Sequence, residues 1–192
     1  MVRSYTVLGI EHILSGFDHL LFVLALIMIV RGTRRLLVTI TAFTIAHSIT
    51  LALATLDIVH VPGPPVEATI ALSIMFVATE ILHLGQRRPG LAARKPWVVA
   101  FSFGLLHGLG FAGALAEVGL PQNAIPLALL FFNVGVEIGQ LMFIAAVLML
   151  AVLVRRSVPG RIDTRWTVEA PAYLIGGTSS YWVLERIVAF WN

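Results

Sequence analysis

The segment Ile10 to Leu20 reads Ile-Glu-His-Ile-Leu-Ser-Gly-Phe-Asp-His-Leu and runs straight into the apolar Leu21–Val30. On a helix turning about 100° per residue, Glu11, His12, Ser15, Asp18 and His19 fall in an arc roughly 120° wide. Ionisable groups at membrane depth are expensive, and an ordered stripe of them marks a functional site. Neutral imidazoles beside a carboxylate suit a divalent first-row metal such as nickel, cobalt, zinc or iron. Hard oxygen-seeking ions such as magnesium fit less well.

Two further apolar segments carry a histidine each, His47 and His107. Counted at 1.5 Å per residue from the outer end of each span, Asp18 and His19 lie about 13–15 Å down, His47 about 14 Å and His107 about 15 Å. Ser73 and Asn133 fall near the same level, and Glu137 one turn deeper. On a regular helix His12 and His19 stand about 10.5 Å apart, too far for one ion with metal–nitrogen bonds of about 2.0–2.1 Å. The spacing therefore predicts two stations. The outer one comprises Glu11, His12 and Glu67, and the inner one Asp18, His19, His47 and His107. Asn133, Glu137 and Gln140 share one face of a later helix and continue the path inward. Glu80 and His83 stand near the inner end as an exit. Taken singly, an intramembrane histidine more commonly bonds between helices, and Thr41, Thr44 and Ser48 are expected to bond to backbone. The small-residue spacings Gly104–Gly108–Ala112 and Gly135–Gly139 predict close helix packing that draws His107 toward Glu137.

The elements that position these residues are apolar spans. The chain has 192 residues, of which 58% are hydrophobic and 12% charged, half the charge of an ordinary soluble domain. Its mean hydropathy is +0.93. These values predict an all-α polytopic membrane helix bundle, one integral membrane domain over residues 1–192. Six spans fit, at roughly 9–30, 36–56, 66–85, 97–117, 124–154 and 171–190. No cleavable leader is evident, since the first span is long and carries two acids and two histidines. Pro62, Pro64 and Pro65 end helical structure between the second and third spans. A polar turn follows Gly119, and Trp191 is an interfacial anchor. Apart from Arg3 and Arg186, every Lys and Arg lies after the first, third or fifth span. This bias places both termini on the non-cytoplasmic side. It also explains the net charge of +3 without a nucleic-acid partner. With no cysteine, thiolate metal sites and cysteine nucleophiles are excluded.

Several segments carry a family resemblance. They are Glu11-His12-x5-Asp18-His19, Phe43-Thr-Ile-Ala-His47-Ser-Ile-Thr-Leu51, Glu67-x2-Ile-Ala-Leu-Ser73, Phe103-Gly-Leu-Leu-His107-Gly-Leu-Gly-Phe-Ala112 and Phe132-Asn-Val-Gly-Val-Glu137-Ile-Gly-Gln140. Together they resemble the HupE/UreJ family of membrane proteins, regarded as nickel or cobalt permeases of hydrogenase and urease maturation. The resemblance implies metal-handling roles for His12, Asp18, His19 and His107. The better-known permeases carry Phe-His-Gly-x-Ala-His-Gly-x-Glu in the fourth span. Here Gly104 and Gly110 replace its first histidine and its glutamate, which resembles the second branch of the family, and Glu137 is the candidate for the missing carboxylate.

The expectation is a transition-metal cation transporter integral to a bacterial inner membrane, with a His/Asp site near the bilayer midplane. Its partners are the lipid bilayer and the metal ion. Imidazole binds metal only when neutral, so affinity falls as pH drops through about 6.5. No Walker-type phosphate loop is present, so the driving force is an ion gradient, the membrane potential or an intracellular sink. The alternative is an intramembrane zinc hydrolase, with three histidines on the metal and Glu137 as general base.

Overall fold

The computed structural model describes residues 1–117, 125–157, 163 and 165–190, with backbone only at 112–117. The expected turn after Gly119, Arg161, Trp191 and the side chains of Ala112 and Glu117 lie outside the described residues. Every described element is helical: α1 (Val2–Ser15), α2 (Phe17–Ile29), α3 (Thr33–Thr55), α4 (Gly63–Gly85), the short α5 (Leu91–Arg94), α6 (Pro96–Glu117), α7 (Ile125–Ser157) and α8 (Ala170–Val188), the last entered through a π-helical turn at Arg165–Glu169. The second to sixth expected helices are present, with ends shifted by a few residues. Pro64 and Pro65 do not precede the third long helix but open it. A proline in the first turn loses no intrahelical bond there and has the right φ already.

The first expected span is not one helix. It breaks at Gly16, and α1 and α2 meet at a bend of 73°. Three local features cause the break. Gly16 is extended (φ −80°, ψ 96°), its N–H closing α1 on the His12 carbonyl and its carbonyl receiving the Leu20 N–H of α2. The Ser15 hydroxyl turns back onto the Glu11 carbonyl at 2.6 Å. Asp18 then sits in the first turn of α2, where a carboxylate faces free N–H groups, and accepts the His19 N–H at 2.8 Å.

Among the described residues three helices, α3, α4 and α7, are each long and apolar enough to cross a membrane, and α1–α2 taken as one broken span makes a fourth. The most extensive packing pairs are α3 with α6, α1 with α7 and α4 with α8, while α2 lies among α1, α3, α4, α7 and α8. Small residues set these approaches. A β-carbon at Gly104 would stand 2.5 Å from the Phe43 carbonyl oxygen, and one at Gly108 would overlap the His47 carbonyl, so α6 presses directly on α3. Gly9 and Gly135 do the same between α1 and α7, against Phe132 and Thr6 carbonyls. The expected glycine packing is therefore present, but it joins α6 to α3 and α7 to α1. It does not draw His107 toward Glu137. One apolar core surrounds α2 with Phe22, Leu26, Phe43, Ile74 and Ile81, and a smaller one gathers Ile13, Leu51, Leu129, Phe132 and Val136. The polar groups lie between them.

Candidate metal site

The break at Gly16 reverses the expected separation of the histidines. His12 lies in the last turn of α1 and His19 in the first turn of α2, and the break between them folds one ring onto the other with centroids 4.7 Å apart, edge to face. His47 enters from α3, its ring 6.0 Å from His12 and 6.2 Å from His19. Ligand atoms of His12, His19 and His47 all lie within 4.8 Å of one another. An ion with bonds of about 2.1 Å needs nitrogens about 3.4 Å apart in tetrahedral geometry, a closure that small ring movements supply. His107, from α6, stands beside this trio with its ring 4.9 Å from His19. The two-station reading, which rested on a continuous helix, is thus corrected: His12 and His19 belong to one cluster.

The hydrogen bonds around the rings assign their free nitrogens. His19 Nδ1 lies 2.9 Å from Asp18 Oδ1, so Nδ1–H donates to the carboxylate and Nε2 is left bare. Asn133 gives its amide N–H to the Leu129 carbonyl (2.8 Å), which turns Oδ1 toward His47 Nδ1 at 3.3 Å. His47 then donates from Nδ1 and also keeps Nε2 bare. Ser73 donates its hydroxyl hydrogen to the Ile70 carbonyl (2.7 Å), so its oxygen accepts from His107 Nε2 at 3.4 Å and His107 Nδ1 remains. His12 Nε2, His19 Nε2, His47 Nε2 and His107 Nδ1 are all buried without a hydrogen-bond partner. A buried polar group left unpaired costs roughly 1–3 kcal/mol. Lone-pair nitrogens on His19, His47 and His107, with unpartnered His12 Nε2 beside them, make the His12–His19–His47 group one that could hold a metal ion. Partners that fix ring tautomer and orientation are also what metal-binding histidines usually have.

The cluster lies beside a cavity of about 170 Å3 lined by His12, Asp18, His19, His107, Phe111 and, at the mouth, Glu67 and Arg186. Aromatic rings also pack against the histidines. Phe43 lies 5.2 Å from His107 and 6.1 Å from His47, and Phe22 lies 5.5 Å from His107. Phe22 and Phe43 are fully buried. Phe111 covers His12 at 3.8 Å between centroids and stacks on Phe132.

A family model described as HupE / UreJ protein matches residues 1–186. The chain belongs to the HupE/UreJ family. No curated protein and no solved structure matches it.

In this HupE/UreJ member the other residues singled out from the sequence are distributed as follows. Asp18 reaches the cluster as the partner of His19. Asn133 and Ser73 reach it as partners of His47 and His107. Glu67 lies at the cavity mouth, with Arg186 Nε 3.5 Å from its carboxylate. Glu11 is exposed and does not line the cavity. Glu137 accepts a hydrogen bond from Thr41 (2.7 Å), and Gln140, fully buried, accepts one from Thr44 (3.0 Å). They form a polar layer between α3 and α7 and are not in the histidine trio. Glu80 is buried and accepts the Ala92 N–H at 3.1 Å, holding the start of α5, while His83 is exposed. Gly16, Phe111 and Arg186 were missed. Ser15-Gly16-Phe17-Asp18 does carry a helix stop and restart, and Arg186 was visible as a cation on the wrong side of the charge bias.

Proposed function

We propose that this HupE/UreJ protein is a membrane transporter for a divalent transition-metal cation of the nickel and cobalt type, with the ion as its substrate. The observation that carries the reading is the set of bare imidazole nitrogens, three of them on rings whose other nitrogen is already hydrogen-bonded, beside a cavity with a carboxylate at its mouth. Neutral nitrogen donors favour nickel, cobalt and zinc over magnesium or calcium. The ion passes Glu67, binds His12, His19 and His47 with His107 alongside, and leaves past the Asn133, Gln140 and Glu137 layer on α7. Asp18 acts through His19. The protein sits in a bacterial inner membrane as a single six-span domain with both termini outside. The spans are α1–α2, α3, α4, α6, α7 and α8. A permeation site must release what it binds, and ligands divided among α1, α2 and α3 separate when these helices shift. The hydrolase alternative loses support because its proposed base, Glu137, bonds to Thr41 and neither joins the histidine group nor lines the cavity.

Uptake of labelled nickel, cobalt and zinc into proteoliposomes tests the proposal. At least one ion enters through the wild-type protein, and His19→Ala abolishes its entry. Folded protein that admits none of the three refutes permeation. Anomalous scattering from the loaded protein identifies the ion and its ligands.

A further inference from the structure

Arg186 is an unexpected neighbour for a cation site. It sits in the last turn of α8, yet its side chain crosses to α4 and lines the same cavity as His12, His19 and His107. Nε lies 3.5 Å from Glu67 Oε2, and Nη1 donates to the Glu67 carbonyl at 3.4 Å. The guanidinium also lies over the Trp182 ring, 5.9 Å from its centroid, one turn back on α8. The arginine side chain is about one-quarter exposed and the glutamate about half. Two consequences follow from charge alone. The Glu67 carboxylate, which would attract a dication to the mouth, is neutralised. A fixed positive charge also stands where the dication must pass, and like charges repel strongly near low-dielectric walls.

We propose that the Glu67–Arg186 pair is an entrance latch, opened when the incoming dication takes the Glu67 carboxylate and Arg186 parts from it while staying over Trp182. Arg186 is then a residue that sets the rate and ionic selectivity of loading and never ligates the metal. The latch rests on the metal-transport reading and adds to it a competitor for the first carboxylate that the ion meets. The pair bridges α4 and α8, one of the most extensive helix pairs, so it opens by side-chain movement on a fixed helix contact.

Stopped-flow binding of Co2+ to the full chain in detergent, read by the visible absorption of cobalt on nitrogen ligands, tests the latch. At low ionic strength Arg186→Gln loads at least fivefold faster than wild type with the same final spectrum. Glu67→Gln, which leaves the arginine unpaired at the mouth, loads at least fivefold slower. The exchange Glu67→Arg with Arg186→Glu returns the rate to within about twofold of wild type. If the wild type develops no cobalt spectrum, the metal-site reading fails and the latch with it. If it does, and Arg186→Gln loads no faster or Glu67→Gln no slower, the latch alone is refuted.

Discussion

At the scale of single residues, the weight of each histidine follows from its neighbours. His19 and His47 each have one nitrogen held by an acceptor and the other bare and buried, and both belong with His12 to the tightest group of ligand atoms. His107 has its bare nitrogen too, but stands outside that group. His12→Ala, His19→Ala and His47→Ala should therefore each weaken cobalt or nickel binding more than His107→Ala does, as titration calorimetry would measure. Equal losses for all four would make His107 a full ligand. The partners are separable from the ligands. Asn133→Leu removes the acceptor that orients His47, and Asp18→Asn removes the charge beside His19. Each should cost about 10–100-fold in affinity without abolishing the site. Asn133→Asp keeps the acceptor and should cost less than Asn133→Leu. These roles were half legible in the sequence. Residue type and depth brought Asp18, His47, His107 and Asn133 to one level. Which atom faces which could not be read, because it depends on ring rotation and on the Leu129 and Ile70 carbonyls that fix Asn133 and Ser73.

At the scale of elements, Gly16 decides the site. Helical periodicity places residues i and i+7 on one face and two turns apart, and applying it across residues 9–30 separated His12 from His19. A break cancels that geometry, and periodicity carries no signal for it. The signal is local, in Ser15-Gly16-Phe17-Asp18, and competes with a strongly apolar surrounding sequence that otherwise favours a continuous span. The structure gives Gly16 a second constraint besides the bend. A β-carbon there would stand 2.8 Å from His19 Nδ1 and 3.1 Å from Asp18 Oδ1, so any side chain pushes apart the pair that orients His19. Alanine also favours the helix over glycine by about 1 kcal/mol, pulling α1 and α2 toward one continuous helix. Gly16→Ala should therefore lower metal affinity at least as much as Asp18→Asn while leaving helical content, by circular dichroism, unchanged. Unaltered affinity would mean that the bend does not depend on this glycine. The helix contacts offer a contrast. Gly108→Ala forces a methyl group against the His47 carbonyl and Thr50, and overpacking of this kind costs about 1–3 kcal/mol. It should appear as a lower melting temperature in detergent together with a weakened site, since His47 is on the strand of backbone being displaced.

At the scale of the molecule, direction depends on topology. The cavity mouth carries Glu67, near the start of α4, and Arg186, near the end of α8. Both lie at the end of the bundle where α3 passes into α4 through the exposed Ile58 and His60. The opposite end carries Arg34, Arg35, Arg87 and Arg88, all exposed, and a structured loop in which α5 is held by Glu80 at its start and by Arg35 on the Ala93 and Arg94 carbonyls at its end. The carboxylate at the helix start and the guanidinium at its end match the helix dipole, so this basic end is anchored as well as charged. The positive-inside rule predicts that this end faces the cytoplasm, and the proposed loading from outside requires the cavity mouth to face the other way. Among the described residues hydropathy alone does not settle the span count, because α6 is apolar over the shorter stretch Pro96–Phe111 and α8 carries Ser179, Ser180, Glu185 and Arg186. The absence of cysteine makes the test direct, since single cysteines can be introduced without removing native ones. A membrane-impermeant thiol reagent applied to intact cells should label Ile58→Cys and His60→Cys, and should reach Arg34→Cys and Arg88→Cys only after the membrane is opened. The reverse pattern would turn the mouth to the cytoplasm and make the same cavity the loading site of an exporter. Labelling of all four from outside would mean that α3 and α4 do not each cross the bilayer, and the six-span arrangement would fall.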